Sequence, residues 1–217
     1  MPNSKIMLIT RPFYDPPTTY LFNWSEDIIN FAKQNGITVI DLKQHDANRK
    51  NLESRIKSQD PKLVVFNGHG SSDRVTGFSI DHVLVKCNDN EDILSYRIVY
   101  SISCESAKEL GPKCVEKDTE AFIGFEEGFA FLHEKSWETN PKKDKKAAIF
   151  LNIINSIPIN LIKGNSAGDV VEKCKNAFEK QIEYFTANYN YDTQHILAWL
   201  KWDKEILKLH GNINALL

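Results

Sequence analysis

His69 and Cys104 are the two residues whose types and surroundings indicate covalent chemistry. His69 lies between two glycines in KLVVFNGHGSSD (62–73), and Cys104 lies near the end of RIVYSISCES (97–106). A cysteine attacks as its thiolate, and a nearby imidazole can take the thiol proton and return it to a leaving amine. The pair therefore predicts attack by Cys104 on a carbonyl carbon, with His69 as acid and base. Taken singly, each residue also fits an ordinary role, as a turn histidine or a buried cysteine.

The segments that precede these residues predict how they are positioned. KLVVF (62–66) and RIVYSIS (97–103) are apolar runs that predict buried strands. In open α/β sheets, ligands bind at the carboxyl ends of the strands, and paired strands lie about 5 Å apart. Because Gly70 has no Cβ, its amide can approach a carbonyl oxygen closely. We predict that the amides of Gly70 and Cys104 form an oxyanion hole, and that a helix beginning after Cys104 favours the thiolate.

The rest of the chain predicts an α/β fold with a mostly parallel open sheet and helices on both faces. Strands are predicted at 5–10, 37–42, 62–66, 97–103 and 121–125, a hairpin arm at 82–87, and helices at 20–35, 48–58 and from 105 to about 111. RPFYDPPTTY (11–20) predicts a stiff loop. Beyond residue 140 the pattern is helical, with a capping box at Ser166 and Asp169, and the segment 195–212 predicts one or two closing strands.

Length and composition indicate one domain, 1–217, with a sheet core at 1–135 and a helical part at 141–217 that closes the fold. The net charge of −2 gives no basic surface for nucleic acid, and no apolar run is long enough to span a membrane. The four cysteines are scattered without CxxC spacing, which predicts a reducing cytoplasm and no structural zinc.

Two motifs resemble those of the caspase-like (clan CD) cysteine peptidases, which include caspases, legumains, gingipains, separases and CHAT domains. NGHG (67–70) is similar to their histidine motif, and SCES (103–106) is similar to their nucleophile motif in its legumain or gingipain form. The predicted strand and helix order agrees from residue 5 to about residue 130, and WLKWDKEILKLHGN (199–212) resembles the last segment of gingipain- and CHAT-like domains. The resemblance implies an α/β/α sandwich.

The resemblance also implies an activity. It implies a cysteine endopeptidase with a two-residue site, in which His69 is the acid and base and Cys104 is the nucleophile. The reaction would pass through an acyl-enzyme and require no metal or organic cofactor. The expected partner is a peptide or protein substrate, and an activating protein partner is compatible with the absence of a separate recognition domain.

The resemblance implies selectivity for the side chain just before the scissile bond, with Ser103 among the substrate-binding residues. Arg11 lies in a region that often lines the specificity pocket of the family, whereas Glu126 and Glu127 predict an acidic pocket for Arg or Lys. These two predictions are opposite, and both stay open. Two residues before the nucleophile, caspases have a Gln and legumains an acidic residue, whereas this chain has Ile102.

Two other functions compete with the peptidase. One is a catalytically silent caspase-like module that binds a protein partner. The other is a flavodoxin-like nucleotide binder, which ranks last because neither GxGxxG nor GxxxxGK[ST] occurs in the sequence.

Overall fold

A six-stranded sheet forms the centre of the computed structural model, which describes residues 5–217. Its strands are β1 (Ile6–Arg11), β2 (Thr38–Lys43), β3 (Leu63–Asn67), β7 (Ile98–Ile102), β8 (Ala121–Phe125) and β9 (Leu207–Gly211). They lie in the order β2-β1-β3-β7-β8-β9, and all neighbouring pairs are parallel except β8 with β9. A small antiparallel sheet follows β3 and consists of β4 (Gly70–Ser71), β5 (Arg74–Thr76) and β6 (Val83–Lys86).

Seven α-helices cover the two faces of the main sheet in the described part of the chain. They are α1 (Pro16–Trp24), α2 (Glu26–Gln34), α3 (Arg49–Gln59), α4 (Leu110–Glu116), α5 (Lys145–Ile162), α6 (Ala167–Ala187) and α7 (Gln194–Ile206). One apolar core joins the sheet to α1, α2, α5, α6 and α7, and a second joins it to α3, α4 and the small sheet. Successive side chains of β3 alternate between these cores, as a strand buried on both faces requires.

The fold class predicted from the sequence is confirmed. The five predicted strands lie within one or two residues of β1, β2, β3, β7 and β8, and the predicted hairpin arm contains β6, which pairs with β5. The predicted capping box is also present, since the Ser166 hydroxyl accepts from the Asp169 amide while the Asp169 carboxylate accepts from the Ser166 amide.

The proline-containing segments are more helical than predicted. The segment 11–20 is not a loop throughout, because α1 begins at Pro16. Proline fits the first helical turn, where its fixed φ is suitable and its missing N–H would have no partner inside the helix. Pro112 likewise lies in the first turn of α4, so Gly111 and Pro112 are near the start of a helix and do not mark its end. The helix predicted at 20–35 is interrupted at Ser25 and forms α1 and α2.

The closing segment 195–212 was predicted as one or two strands, and this was wrong for most of its length. Residues up to Ile206 form α7, and only β9 is extended. Ile196, Leu200 and Asp203 are buried at helical spacing, so the buried face of this segment has the period of a helix. The short strand that follows pairs antiparallel with β8 and closes that edge of the sheet.

Asp144 connects the long segment after β8 to α1. Its carboxylate caps α5 by accepting from the amides of Lys146 and Ala147, and it also accepts from the Glu134 amide and the Tyr20 hydroxyl. The residue is fully buried, and its hydrogen bonds fix the end of the segment 126–144.

We predict that Asp144→Ala lowers the free energy of unfolding by about 3 kcal/mol, because it removes a helix cap, the 2.7 Å acceptor of the buried Tyr20 hydroxyl and the partner of the Glu134 amide. Urea denaturation followed by circular dichroism measures the loss. Asp169→Ala, at the exposed start of α6, is the matched control and should lose much less. Equal losses in the two variants would contradict the prediction.

Candidate active site

The register of two neighbouring strands brings His69 and Cys104 to the same edge of the sheet. β3 and β7 are parallel neighbours, and Asn67 at the end of β3 lies opposite Ile102 at the end of β7. His69 and Cys104 each follow two residues after these paired positions. Both side chains line one cavity of about 270 Å³.

Gly70 lies directly against the backbone around Cys104. A Cβ placed on Gly70 would be 2.8 Å from the Ser103 Cβ and 3.2 Å from the Cys104 carbonyl oxygen, so only glycine permits this approach. Gly68 has φ +137°, which favours glycine again. Ser103 is fully buried, and its hydroxyl has no hydrogen-bond partner within residues 5–217. Ser103 thus packs behind the site, and its side chain is not among those that line the cavity.

Asp15 holds the imidazole of His69. Asp15 Oδ2 lies 2.6 Å from His69 Nε2, which leaves Nδ1 as the ring nitrogen available for proton transfer. The other carboxylate oxygen, Oδ1, accepts from the amide and hydroxyl of Thr18, at 2.9 and 2.6 Å. Asp15 is therefore both the N-cap of α1 and the partner of the histidine.

The surroundings of Asp15 keep it ionised. Partial burial raises the pKa of its carboxyl, but the hydrogen bonds from Thr18 and His69 outweigh burial and place the pKa below its ordinary value. The negative charge next to Nε2 holds the proton of the neutral ring on that nitrogen and orients the imidazole.

Cys104 lies in a tight turn, and no helix begins beside it. Residues 104–109 form turns, α4 begins only at Leu110, and the predicted help from a helix N-terminus was therefore wrong. Glu105 has φ +59°, an uncommon backbone conformation for a residue other than glycine. The Glu105 amide donates to the Glu127 carbonyl oxygen at 3.1 Å, so the turn is attached to the segment after β8.

Burial raises the pKa of the Cys104 thiol, and the Glu105 carboxylate raises it further, although a hydrogen bond with the Phe129 backbone lowers it. At neutral pH the uncomplexed protein therefore holds Cys104 as a thiol. A base must remove its proton during any reaction. Two histidines, His69 and His133, line the cavity, and His69 is the one that follows the neighbouring strand end.

The cavity beside His69 and Cys104 has mainly apolar walls. α1 contributes Pro17, Thr18 and Leu21, and α7 contributes Trp199. The remaining lining residues come from the strand ends and from the segment after β8: Gly68, Ile102, Phe129, Ala130, Phe131 and His133. Two of the walls are thus α1, whose first half was predicted as a proline-containing loop, and α7, which was predicted as closing strands.

The charged residues predicted to bind substrate lie outside this wall. Arg11 is 4% exposed and pairs with Asp41 and Glu26. The carboxylate of Glu126 lies 3.3 Å from the ammonium group of Lys208, and that of Glu127 lies 3.0 Å from that of Lys108. The structure brings His69, Gly70 and Cys104 together, but it does not bring these three charged side chains to them.

Within residues 5–217, no three His, Cys, Asp or Glu side chains are grouped closely enough to hold a metal ion. In the same range, no helix combines the length and apolar character needed to cross a bilayer.

Two solved structures share this architecture. The chain superimposes on the crystal structure of the Arg-specific cysteine proteinase gingipain R (RgpB) with a TM-score of 0.62 and 13% sequence identity, over 98% of this chain. It superimposes on a complex of the pro- and mature domains of Porphyromonas gingivalis RgpB with a TM-score of 0.63 and 10% identity, again over 98% of this chain. The chain has the caspase-like α/β fold.

At 13% and 10% sequence identity, the similarity to these structures is a similarity of fold alone. The chain spans 47% and 48% of the lengths of the two gingipain structures. No protein-family model matches the sequence, and no curated protein matches it by sequence.

Sequence reasoning missed Asp15. The signal was present, since DPPT (15–18) is an N-cap residue followed by prolines suited to a first helical turn. Its proximity to His69, 54 residues later, depends on the packing of α1 over the end of β3, which no local pattern encodes.

We predict that Gly70→Ala lowers the free energy of unfolding by about 1–3 kcal/mol, because the added Cβ would clash with the Arg74 carbonyl oxygen and with Ser103. Gly128→Ala is the matched control: it lies in the same region, its Cβ would meet nothing within 4 Å, and its effect should stay within about 0.5 kcal/mol. Urea denaturation of both variants checks this. A Gly70→Ala variant as stable as the control would show that the close approach is absent.

We predict that the stability difference between the wild type and Asp15→Asn depends on pH. Asn preserves the N-cap but removes the charge that faces His69. The pKa of Asp15 is lower in the folded protein than its ordinary value of 3.8, so its ionised form stabilises the protein at pH values above 3.8. This stabilisation is lost as the pH falls from 3.8 through the lowered pKa. Urea unfolding at pH 7 and at pH 3 should give a smaller difference at pH 3. An equal difference at both pH values would refute the assignment.

Proposed function

We propose that the protein is a cysteine endopeptidase that acts through Cys104 and His69. The observation that carries the proposal is the placement of both residues two positions beyond paired residues of adjacent parallel strands, on one cavity, with Asp15 bonded to the histidine. A nucleophile, a base and a group that orients the base are the components that acyl transfer requires.

The reaction would begin with the thiol, because burial disfavours the free thiolate of Cys104. His69 takes the thiol proton as Sγ attacks the carbonyl carbon of the peptide bond. The carbonyl oxygen becomes an oxyanion, and we assign the hydrogen bonds that stabilise it to the amides of Gly70 and Cys104. The tetrahedral intermediate then breaks its C–N bond, the amine leaves with the proton from His69, and a thioester to Cys104 remains.

Water completes the cycle. His69, neutral again, takes a proton from a water molecule that attacks the thioester carbonyl carbon. The C–S bond breaks, the peptide acid is released, and the thiol is restored with the proton that His69 had taken. Asp15 would stabilise the imidazolium formed in each half-reaction and keep the ring oriented.

The silent-module alternative has one observation in its favour, since the raised pKa of the Cys104 thiol makes the resting cysteine a weak nucleophile. The proposed partners are a peptide or protein substrate under the first function and a protein ligand under the second. We also propose a reducing compartment, the cytoplasm, because Cys87, Cys104, Cys114 and Cys174 are all free.

The test is cleavage of a mixed-sequence peptide library, read by mass spectrometry. Wild type should cleave, Cys104→Ala should be inactive, and His69→Ala should be slower by about 10²–10⁴-fold. Asp15→Asn should lose less than His69→Ala, because it removes an orienting group and keeps the base. Iodoacetamide should label Cys104 faster than the other cysteines, and labelling should abolish cleavage.

Cys87→Ala and His82→Ala are the matched controls, since both residues lie outside the cavity and both side chains are partly accessible. Both variants should retain wild-type cleavage. No cleavage by wild type, together with labelling of Cys104 no faster than that of Cys87, would exclude the peptidase and favour the silent module.

A further inference from the structure

The cavity next to the reacting sulfur has a shape and a chemistry that select a side chain. Most of its lining residues are apolar, and the large ones are Pro17, Leu21, Ile102, Phe129, Phe131 and Trp199. Its volume of about 270 Å³ is close to the lower end of the roughly 300–1,000 Å³ typical of ligand pockets. Such a space suits one large side chain.

The lining contains no Asp, Glu, Lys or Arg among the described residues. The polar groups that do reach it are Thr18, His133 and the two reactive residues. Thr18 is occupied by Asp15, and His133 lies against the rings of Tyr20 and Phe131. A charged substrate side chain would therefore gain no opposite charge from the residues that line the cavity, and burying an unpaired charge is strongly unfavourable.

Asp203 is a buried acid that lies behind the wall. Its Oδ1 accepts from the Ala130 amide at 3.1 Å, which holds the cavity-lining backbone of the segment after β8. Burial raises the pKa of this carboxyl to about 8, so the group is mainly neutral at neutral pH. The carboxyl thus serves as an internal support for the wall and not as a counter-charge for a basic substrate.

Because the cavity begins at the reacting sulfur, it can receive the side chain of the residue that supplies the attacked carbonyl. In a bound peptide, the Cα that carries this side chain is bonded directly to the carbonyl carbon that Sγ attacks. Cys104 itself lines the cavity, and so does Ile102, two residues earlier on β7 and 2% exposed. Ile102 thus adds an apolar side chain to the cavity wall beside Cys104.

We propose that the enzyme cleaves after large uncharged apolar residues, of the size of leucine to phenylalanine, and discriminates against both acidic and basic residues. This preference rests on the proposed peptidase function. It replaces both earlier predictions of a charged pocket, since Arg11, Glu126 and Glu127 are paired with other residues outside the cavity.

The test uses acetylated tripeptides coupled to aminomethylcoumarin, varied only at the last residue: Leu, Phe, Ala, Asp, Arg or Lys. These substrates have no amino acid after the cut, so the measured preference belongs to the residue that supplies the carbonyl. We expect kcat/KM for Leu or Phe to exceed that for Ala by at least about 10-fold and those for the charged residues by about 100-fold.

Trp199→Glu supplies a second, independent measurement. Trp199 lies on the partly exposed face of α7 and lines the cavity, so a carboxylate there adds a counter-charge at little cost to the core. The ratio of kcat/KM for Arg to that for Leu should rise by about 10-fold or more. Tyr184→Glu is the matched control, an exposed aromatic residue on α6 outside the cavity, and should leave this ratio unchanged.

The outcomes separate the two proposals. Faster cleavage after Arg, Lys or Asp than after Leu and Phe by the wild type would overturn the apolar preference and support the peptidase. If nothing is cleaved, the matching peptide amides are titrated against Cys104→Ala and followed by tryptophan fluorescence. Tighter binding of the Leu or Phe amide would then support the cavity preference while the peptidase fails, and equal or absent binding would overturn both.

Discussion

The parallel ladder between β3 and β7 is the constraint on which the rest of the site depends. His69 and Cys104 are 35 positions apart in sequence. They become neighbours because Asn67 pairs with Ile102 and because each lies two residues beyond its member of this pair. A slip of one residue in this register would turn every side chain of the slipped strand to the opposite face. Both strands are buried on both faces, so such a slip would place each core side chain in the wrong core, and the apolar packing itself protects the geometry of the site.

The walls around this ladder are held by three carboxyl groups, of which those of Asp144 and Asp203 are buried and that of Asp15 is partly exposed. Asp144 fixes the end of the segment 126–144 against α1, and Asp203 supports its beginning from α7. Asp15 connects α1 to His69. Because three different helices converge on one segment and one histidine, the cavity depends on the packing of the whole face and not on any single loop.

The sequence was informative where a pattern is local. Apolar runs located five strands of the main sheet, and two short motifs located His69, Gly70 and Cys104, which the fold does bring together. It was misleading where one residue type serves two structures: proline breaks a helix but also begins one, as at Pro16 and in the first turn of α4. The apolar walls and the role of Asp15 arise from contacts between distant segments, which no spacing along the chain encodes.

The two carboxylate oxygens of Asp15 accept from different neighbours. One side chain therefore contributes both to the stability of α1 and to the orientation of the His69 imidazole. One oxygen satisfies the start of α1, and the other faces the imidazole. A residue chosen only for helix capping could be Ser, Thr, Asn or Asp with similar stability. Here the choice is narrowed to a residue that also bears a negative charge, so the chain has less freedom at this position than its surface location suggests. A neutral cap would let the protein fold and persist while its histidine is left without an anionic partner.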